Sequence, residues 1–304
     1  MVPLLPCLRA LLLLLCCLTG SAWAQDQEPR RWTHLPTGLN VIGVALGATT
    51  GDIFFDPVLK AEDVEFEQYS TGFVYLRTFG MLGRSARLDV RVPYARGRWE
   101  GFLDGVYTST RRSGFGDPRL RLSMLLYGGR AETREEFAVS QKSNTVVGAA
   151  ISVTLPWGDY REDKLLNLGA NGWVLRPQLG VTHSRKRWTF ELSGSAFLYG
   201  DNNDFWNGQH LEKDTLWALQ GHVIHTFKPG LWASVSMAYG SGADVTVDDV
   251  PSGQKTGAWL SAINFGLPIT RTQGIKFSLI RWASQEETGR DSHTLLASWT
   301  HRYF

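Results

Sequence analysis

Apolar and polar residues in this chain trade places with a period of two, over runs longer than ordinary globular strands. Leu88, Val90, Val92 and Tyr94 alternate with Arg87, Asp89 and Arg91, and Leu120, Leu122, Met124 and Leu126 with Arg119, Arg121 and Ser123. Trp173, Leu175, Leu179 and Val181 are interleaved with Arg176 and Gln178, and Trp188, Phe190 and Leu192 with Thr189, Glu191 and Ser193. In an extended chain residues i and i+2 share a face, so each run is a strand with one apolar and one polar side. About twelve such strands are predicted, over 38–50, 65–79, 84–99, 117–128, 144–155, 171–183, 187–199, 214–227, 230–240, 256–268, 273–284 and 292–303. Many exceed the five or six residues usual in globular proteins and match the roughly 9–11 that a tilted strand needs to cross a bilayer.

The connections carry a second pattern. Long ones near 51–64, 100–116, 156–170, 200–213, 241–255 and 285–291 alternate with short turns at 80–83, 184–186, 228–230 and 269–272. Outer-membrane barrels are built this way, with long extracellular loops and short periplasmic turns. The connection 129–143 is long where a short one is expected, with room for a helical turn over 132–137.

Residues 1–24 read as a cleaved signal peptide: Arg9, then an apolar run, then Ala22-Trp23-Ala24 before a chain beginning at Gln25. The apolar run is too short to span a bilayer. Cys7, Cys16 and Cys17 all lie in this segment, so disulfides, thiolate catalysis and Cys-ligated metals are excluded downstream of it. The 31 basic and 29 acidic residues nearly cancel, which leaves no global electrostatic case for nucleic acid. Domain organisation is then 1–24 signal peptide, 25–37 N-terminal periplasmic segment and 38–304 barrel.

A secreted β-sandwich also alternates. Strand length favours the barrel, as do Trp173, Trp188 and Trp217 near strand starts and Tyr94, Tyr199, Phe227 and Tyr239 near strand ends, where rings suit membrane interfaces. The predicted fold is therefore all-β: a closed antiparallel transmembrane β-barrel. It must close because lipid satisfies no backbone N–H or C=O, so the first strand is expected to pair with the last. Gly43, Gly47, Gly148, Gly180 and Gly194 fit curvature or close backbone approach, and Pro93 and Pro177 predict a bulge or break. An even strand count puts both termini in the periplasm. The last strand ends on Phe304, which resembles the signal read by the barrel-assembly machinery. Phe304 lies on the opposite parity from Leu295, Ala297, Trp299 and Tyr303. Either the register shifts near His301 or the apolar face ends at Tyr303.

Several segments resemble a known family: Leu35-Pro36-Thr37-Gly38-Leu39-Asn40, Gly51-Asp52-Ile53, Arg77-Thr78-Phe79-Gly80, Ser85-Ala86-Arg87, Pro93-Tyr94, Gly97-Arg98-Trp99-Glu100-Gly101, Arg111-Arg112-Ser113-Gly114 and Gly116-Asp117-Pro118-Arg119. They are similar to the bacterial outer-membrane family labelled "MetA pathway of phenol degradation", or transporter. The resemblance implies an outer-membrane barrel and hints at uptake of aromatic or other small hydrophobic compounds. It supplies no catalytic or binding residues.

No enzyme is expected. None of the seven histidines has Ser at i+2, the spacing that puts both side chains on one strand face. His222 and His225 are three apart and face opposite ways, so they cannot share a metal. Asp201-Asn202-Asn203-Asp204 lacks the downstream pattern of an EF-hand and reads as a solvated acidic loop. No cofactor and no metal is predicted. The expected partners are outer-membrane lipids, the assembly machinery and a small solute. What remains is a polar inner face: Arg87, Asp89, Arg91, Arg119, Arg121, Arg176, Glu191 and Lys276 are the lumen-lining candidates, with Arg302 on the same parity. Such a set either fills a narrow barrel with salt bridges or gives the lumen a positive field that favours small anions. About twelve strands leave a narrow channel or an occluded pocket. The leading expectation is passive translocation of small solutes; the alternative is a non-transporting structural or partner-binding barrel. Turning the N-terminal stretch 25–37 inward would plug the lumen.

Overall fold

The structure, a computed structural model, describes residues 27–54, 61–103, 105–164, 166–205, 208–251, 256–286 and 289–304. The signal-peptide segment lies outside the described residues. The first strands are β1 (Asn40–Phe54), β2 (Ala61–Met81), β3 (Arg84–Leu103), β4 (Val106–Phe115), β5 (Arg119–Tyr127) and β6 (Thr145–Thr154). They are followed by β7 (Val174–Arg185), β8 (Trp188–Tyr199), β9 (Asn202–Phe205), β10 (Gln209–Lys213), β11 (Leu216–Lys228) and β12 (Leu231–Gly242). The chain ends with β13 (Val245–Val247), β14 (Val250–Pro251), β15 (Thr256–Pro268), β16 (Gln273–Ser284) and β17 (Gly289–Tyr303). The helical turn expected in 129–143 is α1 (Arg134–Val139), opened by a capping box between Thr133 and Glu136.

The barrel is closed and antiparallel. β1 pairs with β17 from Asn40–Tyr303 to Phe54–Gly289, and β2 pairs with both β1 and β3. β4 and β5 together make one of the twelve staves, because both pair with β3, at its upper and lower halves. The β1–β17 ladder shows no register shift, so the apolar face ends at Tyr303 and Phe304 lies beyond the ladder, where the Arg134 guanidinium stacks over its ring.

Both prolines mark breaks, as the missing donor requires. At Pro93, β3 changes partner from β5 to β4, and the Pro93 carbonyl accepts from Gly116 N–H instead. At Pro177 the β7–β8 ladder skips from Leu175–Leu198 to Gln178–Ser195 without losing register.

Parity is obeyed around the wall. Leu88, Leu120, Leu179, Phe190, Leu192, Val235, Ile263, Leu279 and Leu295 point outward and are exposed. Inside, the half nearer the short turns is polar: Ser123, Gln178, Thr182, Ser193, His222, Ser236, Asn264 and Ser278 are all buried. The half nearer the long loops is apolar. Ala258, Leu260, Ala262, Ile280 and Trp282 form one cluster there, and Ile53, Phe66 and Trp99 another, covered by Leu166 and Leu168 of the folded-in loop after β6. Sequence reasoning set Tyr199 on the outer face. It shares the parity of Glu191 instead and lines the upper lumen. The connections after β8 and β12 supply β9, β10, β13 and β14, a small sheet in the order β14-β13-β10-β9 that roofs this end around Phe205, Leu211, Val245 and Val247.

Candidate functional site: a lumen occupied by its own N-terminal segment

Residues 25–37 read from sequence as periplasmic. In the structure the described part of this segment runs into the barrel. It rises from Gly38 and Leu39, which bond to Thr78 at the short-turn end, to Gln27, whose side chain donates to the Leu260 carbonyl at 3.0 Å. The reason is chemical: a charged stretch with one large aromatic meets a polar wall holding matching groups.

Glu28 is the first anchor. Its carboxylate accepts from Arg121 at 2.7 Å and from Arg91, and Arg31 lies 3.4 Å away. Burial alone would raise the Glu28 carboxyl, but the charges of Arg121, Arg91, Arg119 and Lys276 outweigh it and hold it well below the usual carboxylate range. Arg31 inserts beside it, donating to Ser123 Oγ at 2.7 Å and approaching Asp89 at 3.4 Å. Asp89 also draws Arg87 and Arg121, each at 3.4 Å. The result is one continuous ion network from β3 and β5 to the inserted segment.

Trp32 is the second anchor, 1% exposed. Its indole lies flat on Gly148 and Gly180, which face each other across β6 and β7, and a Cβ on either glycine would collide with the ring. Its N–H donates to Ser193 Oγ at 2.8 Å. Between the anchors, Arg30 takes a left-handed turn (φ 70°), its N–H donates to Glu191 Oε2 at 2.7 Å, and its guanidinium stacks on Trp232.

All eight lumen candidates lie on the inner face. Six of them belong to one cluster: Arg91, Arg119, Arg121 and Lys276 act on Glu28, and Arg87 and Arg121 on Asp89. Glu191 stands apart, holding the segment from β8 with Thr182. Arg176 also stands apart, in the apolar upper half, its guanidinium 4.2 Å from the Phe197 ring. Arg302 lies at the short-turn end, bonded to the Arg271 carbonyl. Sequence reasoning missed Glu28, Arg31 and Trp32; the available signal was the pair of inward glycines aligned on neighbouring strands.

Among the described residues, two cavities lie above the segment. One of about 150 Å³ is lined by Arg119, Arg176, Lys213, Phe197, Leu216 and Trp282, among others. Its neighbour of about 110 Å³ lies behind Pro93 and Asp117. They share Arg119, Thr154 and Ala170.

Barrel closure also joins groups that a single-strand search cannot see. His222 and Ser236 are cross-strand partners, Nδ1 to Oγ 2.7 Å, with Asn264 donating to the same oxygen at 3.1 Å. The three are at most 3% exposed, and Asn264 bonds to the serine, not to the histidine. A triad needs the third group to orient the base, so this is a packed polar network. Asp201, His210 and Glu212 cluster at the exposed rim.

The fold and its occupied lumen define a closed twelve-stranded barrel of the outer-membrane type. Residues 48–279 match the family described as "Putative MetA-pathway of phenol degradation", and the chain belongs to it. Its structure is similar to an outer membrane channel from Pseudomonas putida F1, with 19% identity and a TM-score of 0.76 over 91% of this chain and 99% of that one. It is more distantly similar to the transport unit of the autotransporter AIDA-I from Escherichia coli (10% identity, TM-score 0.55, 95% and 96% covered). The β domain of the Bordetella autotransporter BrkA is another likeness (9% identity, TM-score 0.53, 88% and 100% covered). No curated protein sequence matches the chain.

Proposed function

We propose that this protein is an outer-membrane channel that passes small solutes, aromatic or hydrophobic ones among them, by passive translocation through a lumen restricted by its own N-terminal segment. The observation that carries this reading is the division of the lumen. Among the described residues, the long-loop half holds two cavities that share Arg119, while Gln27–Thr33, held by ion pairs and one indole, fills the lumen from the short-turn half up to the Leu260 carbonyl. A barrel with a purely structural role would gain nothing from unfilled space on one side of a polar stopper. The family name and the channel from Pseudomonas putida F1 support the same reading. Export by the signal peptide, removal of residues 1–24, and recognition of the strand ending at Phe304 by the assembly machinery belong to it.

The test is flux. Liposomes holding the mature chain should swell slowly in small sugars. A variant lacking residues 25–33 should fold into the same heat-modifiable barrel and swell several times faster. Equal and negligible swelling by both would leave the non-transporting barrel as the better account.

A further inference from the structure

The short turns along one side of the barrel carry charge of a single sign. Arg185, Lys186 and Arg187 join β7 to β8, Lys228 begins the turn from β11 to β12, Arg271 lies between β15 and β16, and Arg302 stands near the end of β17. All six are exposed. The turns adjoin one another: Thr226 N–H donates to the Arg187 carbonyl at 2.8 Å, and the Arg302 guanidinium donates to the Arg271 carbonyl at 2.8 Å. Residues 184–188, 227–231, 268–273 and 301–304 include no Asp or Glu. Among the described residues no carboxylate forms an ion pair with any of the six. The connection between β5 and β6 is mixed instead, with Glu132, Glu135 and Glu136 against Arg130, Arg134 and Lys142. On the membrane side of the basic turns the outer face carries rings. Trp188 follows Arg187, Phe227 precedes Lys228 and Tyr303 follows Arg302, and all three rings are roughly half-exposed. His225 meets Trp188 and Phe227 edge-on, and Trp299, His301 and Tyr303 stack in a column.

We propose that this basic rim binds anionic phospholipid, a headgroup phosphodiester without an amine, in the leaflet on the short-turn side of the membrane. The inference goes beyond the channel reading and does not depend on solute passage. The rings fix the depth. On a lipid-facing wall, amphipathic rings settle at the level of the headgroups, and one residue of strand advances only about 3.3 Å. The cations next to Trp188, Phe227 and Tyr303 therefore lie at the phosphates. Their apolar stems can run along the rings while the charged heads stay in water, and a guanidinium matches two phosphate oxygens at once. Charge fixes the headgroup. A zwitterionic lipid brings its own ammonium, which the rim repels. Six cations with no carboxylate beside them are a surplus that a net negative headgroup offsets and a zwitterionic one does not. A soluble acidic protein is the other occupant that such charge attracts. The rings favour lipid, because they set the charges in the membrane interface and not beyond it.

The experiment reconstitutes the mature chain in phosphatidylcholine vesicles holding a minor share of phosphatidylglycerol, with bromine on the acyl chains of one lipid or of the other. Bromine quenches nearby tryptophan, and Trp188 and Trp299 stand beside the rim, so comparing the two labels gives the relative affinity. Phosphatidylglycerol should be favoured about fivefold or more, roughly what one basic residue contributes at an anionic surface, and high salt should reduce the preference. The triple variant Lys186→Gln/Arg187→Gln/Lys228→Gln should abolish it. Arg161→Gln/Lys164→Gln, exposed in the loop after β6 and paired with Asp163, should leave it intact. Heat-modifiable mobility confirms that each variant is a barrel. If the triple variant fails to fold, Lys186→Gln and Lys228→Gln should each lower the preference singly. Equal affinity for the two lipids, or a preference unchanged by these substitutions, would overturn the assignment. Binding of soluble polyglutamate to the wild type in pure phosphatidylcholine, with no preference for phosphatidylglycerol, would assign the rim to an acidic protein instead. Flux is not read, so a lipid preference with no liposome swelling would sink translocation and leave the rim standing.

Discussion

At the scale of single residues, the inserted segment depends on a carboxylate and an indole. Trp32 is enclosed and has no room to shift, because glycine backbone lies beneath it. Trp32→Ala removes a contact of the kind that contributes about 3–5 kcal/mol in cores, and should raise single-channel conductance while leaving barrel unfolding nearly unchanged. Gly180→Leu should do the same from the other side of the contact. Unaltered conductance in both would mean the indole does not hold the segment. Glu28 adds a pH dependence whose sign is fixed. Its carboxyl in the docked state lies below the ordinary value of 4.5. Docking is therefore fully favoured above that value and weakens as pH falls toward the docked one. Conductance should rise on acidification below about pH 5. Glu28→Gln should already be open at neutral pH and lose that rise.

At the scale of elements, alternation decides what each strand can tolerate. Leu192, half-exposed near the middle of β8, faces outward, while its neighbours Glu191 and Ser193 face the segment. Leu192→Arg should cost about 2–4 kcal/mol in lipid vesicles, the cost of a charge near the bilayer midplane, as read from denaturant unfolding; no cost would contradict a lipid-facing β8. Faces and breaks were legible from the residues, since a period of two assigns the side and proline removes a donor whatever surrounds it. The loops were legible only in their length. Residues 200–213 and 241–255 read as open loops, yet they build a sheet with its own buried cluster at the mouth of the barrel. Their strands are short, and the pairing that joins the two connections, β10 with β13, links residues over thirty apart in sequence.

At the scale of the whole molecule, the inner wall has a sign. Around the segment Arg31, Arg87, Arg91, Arg119, Arg121 and Lys276 face Glu28 and Asp89. Higher up stand Arg176 and Lys213. Planar bilayers under a salt gradient should therefore give an anion-selective reversal potential. A cation-selective one would show that this excess does not face the permeation path.

Residue order alone set the class of fold, the strand number and, Tyr199 apart, the wetting of each face. All three follow from local rules: a two-residue period, the length that crosses hydrocarbon, and the need to pair every backbone group. Parity alone also assigned eight charged residues to the inner side. What occupies the lumen was decided only in three dimensions. Glu28 meets Arg121, Trp32 meets Ser193 and Gln27 meets Leu260 across separations of 93, 161 and 233 residues. Alternation says which way a side chain points, and closure of the cylinder says what it finds there.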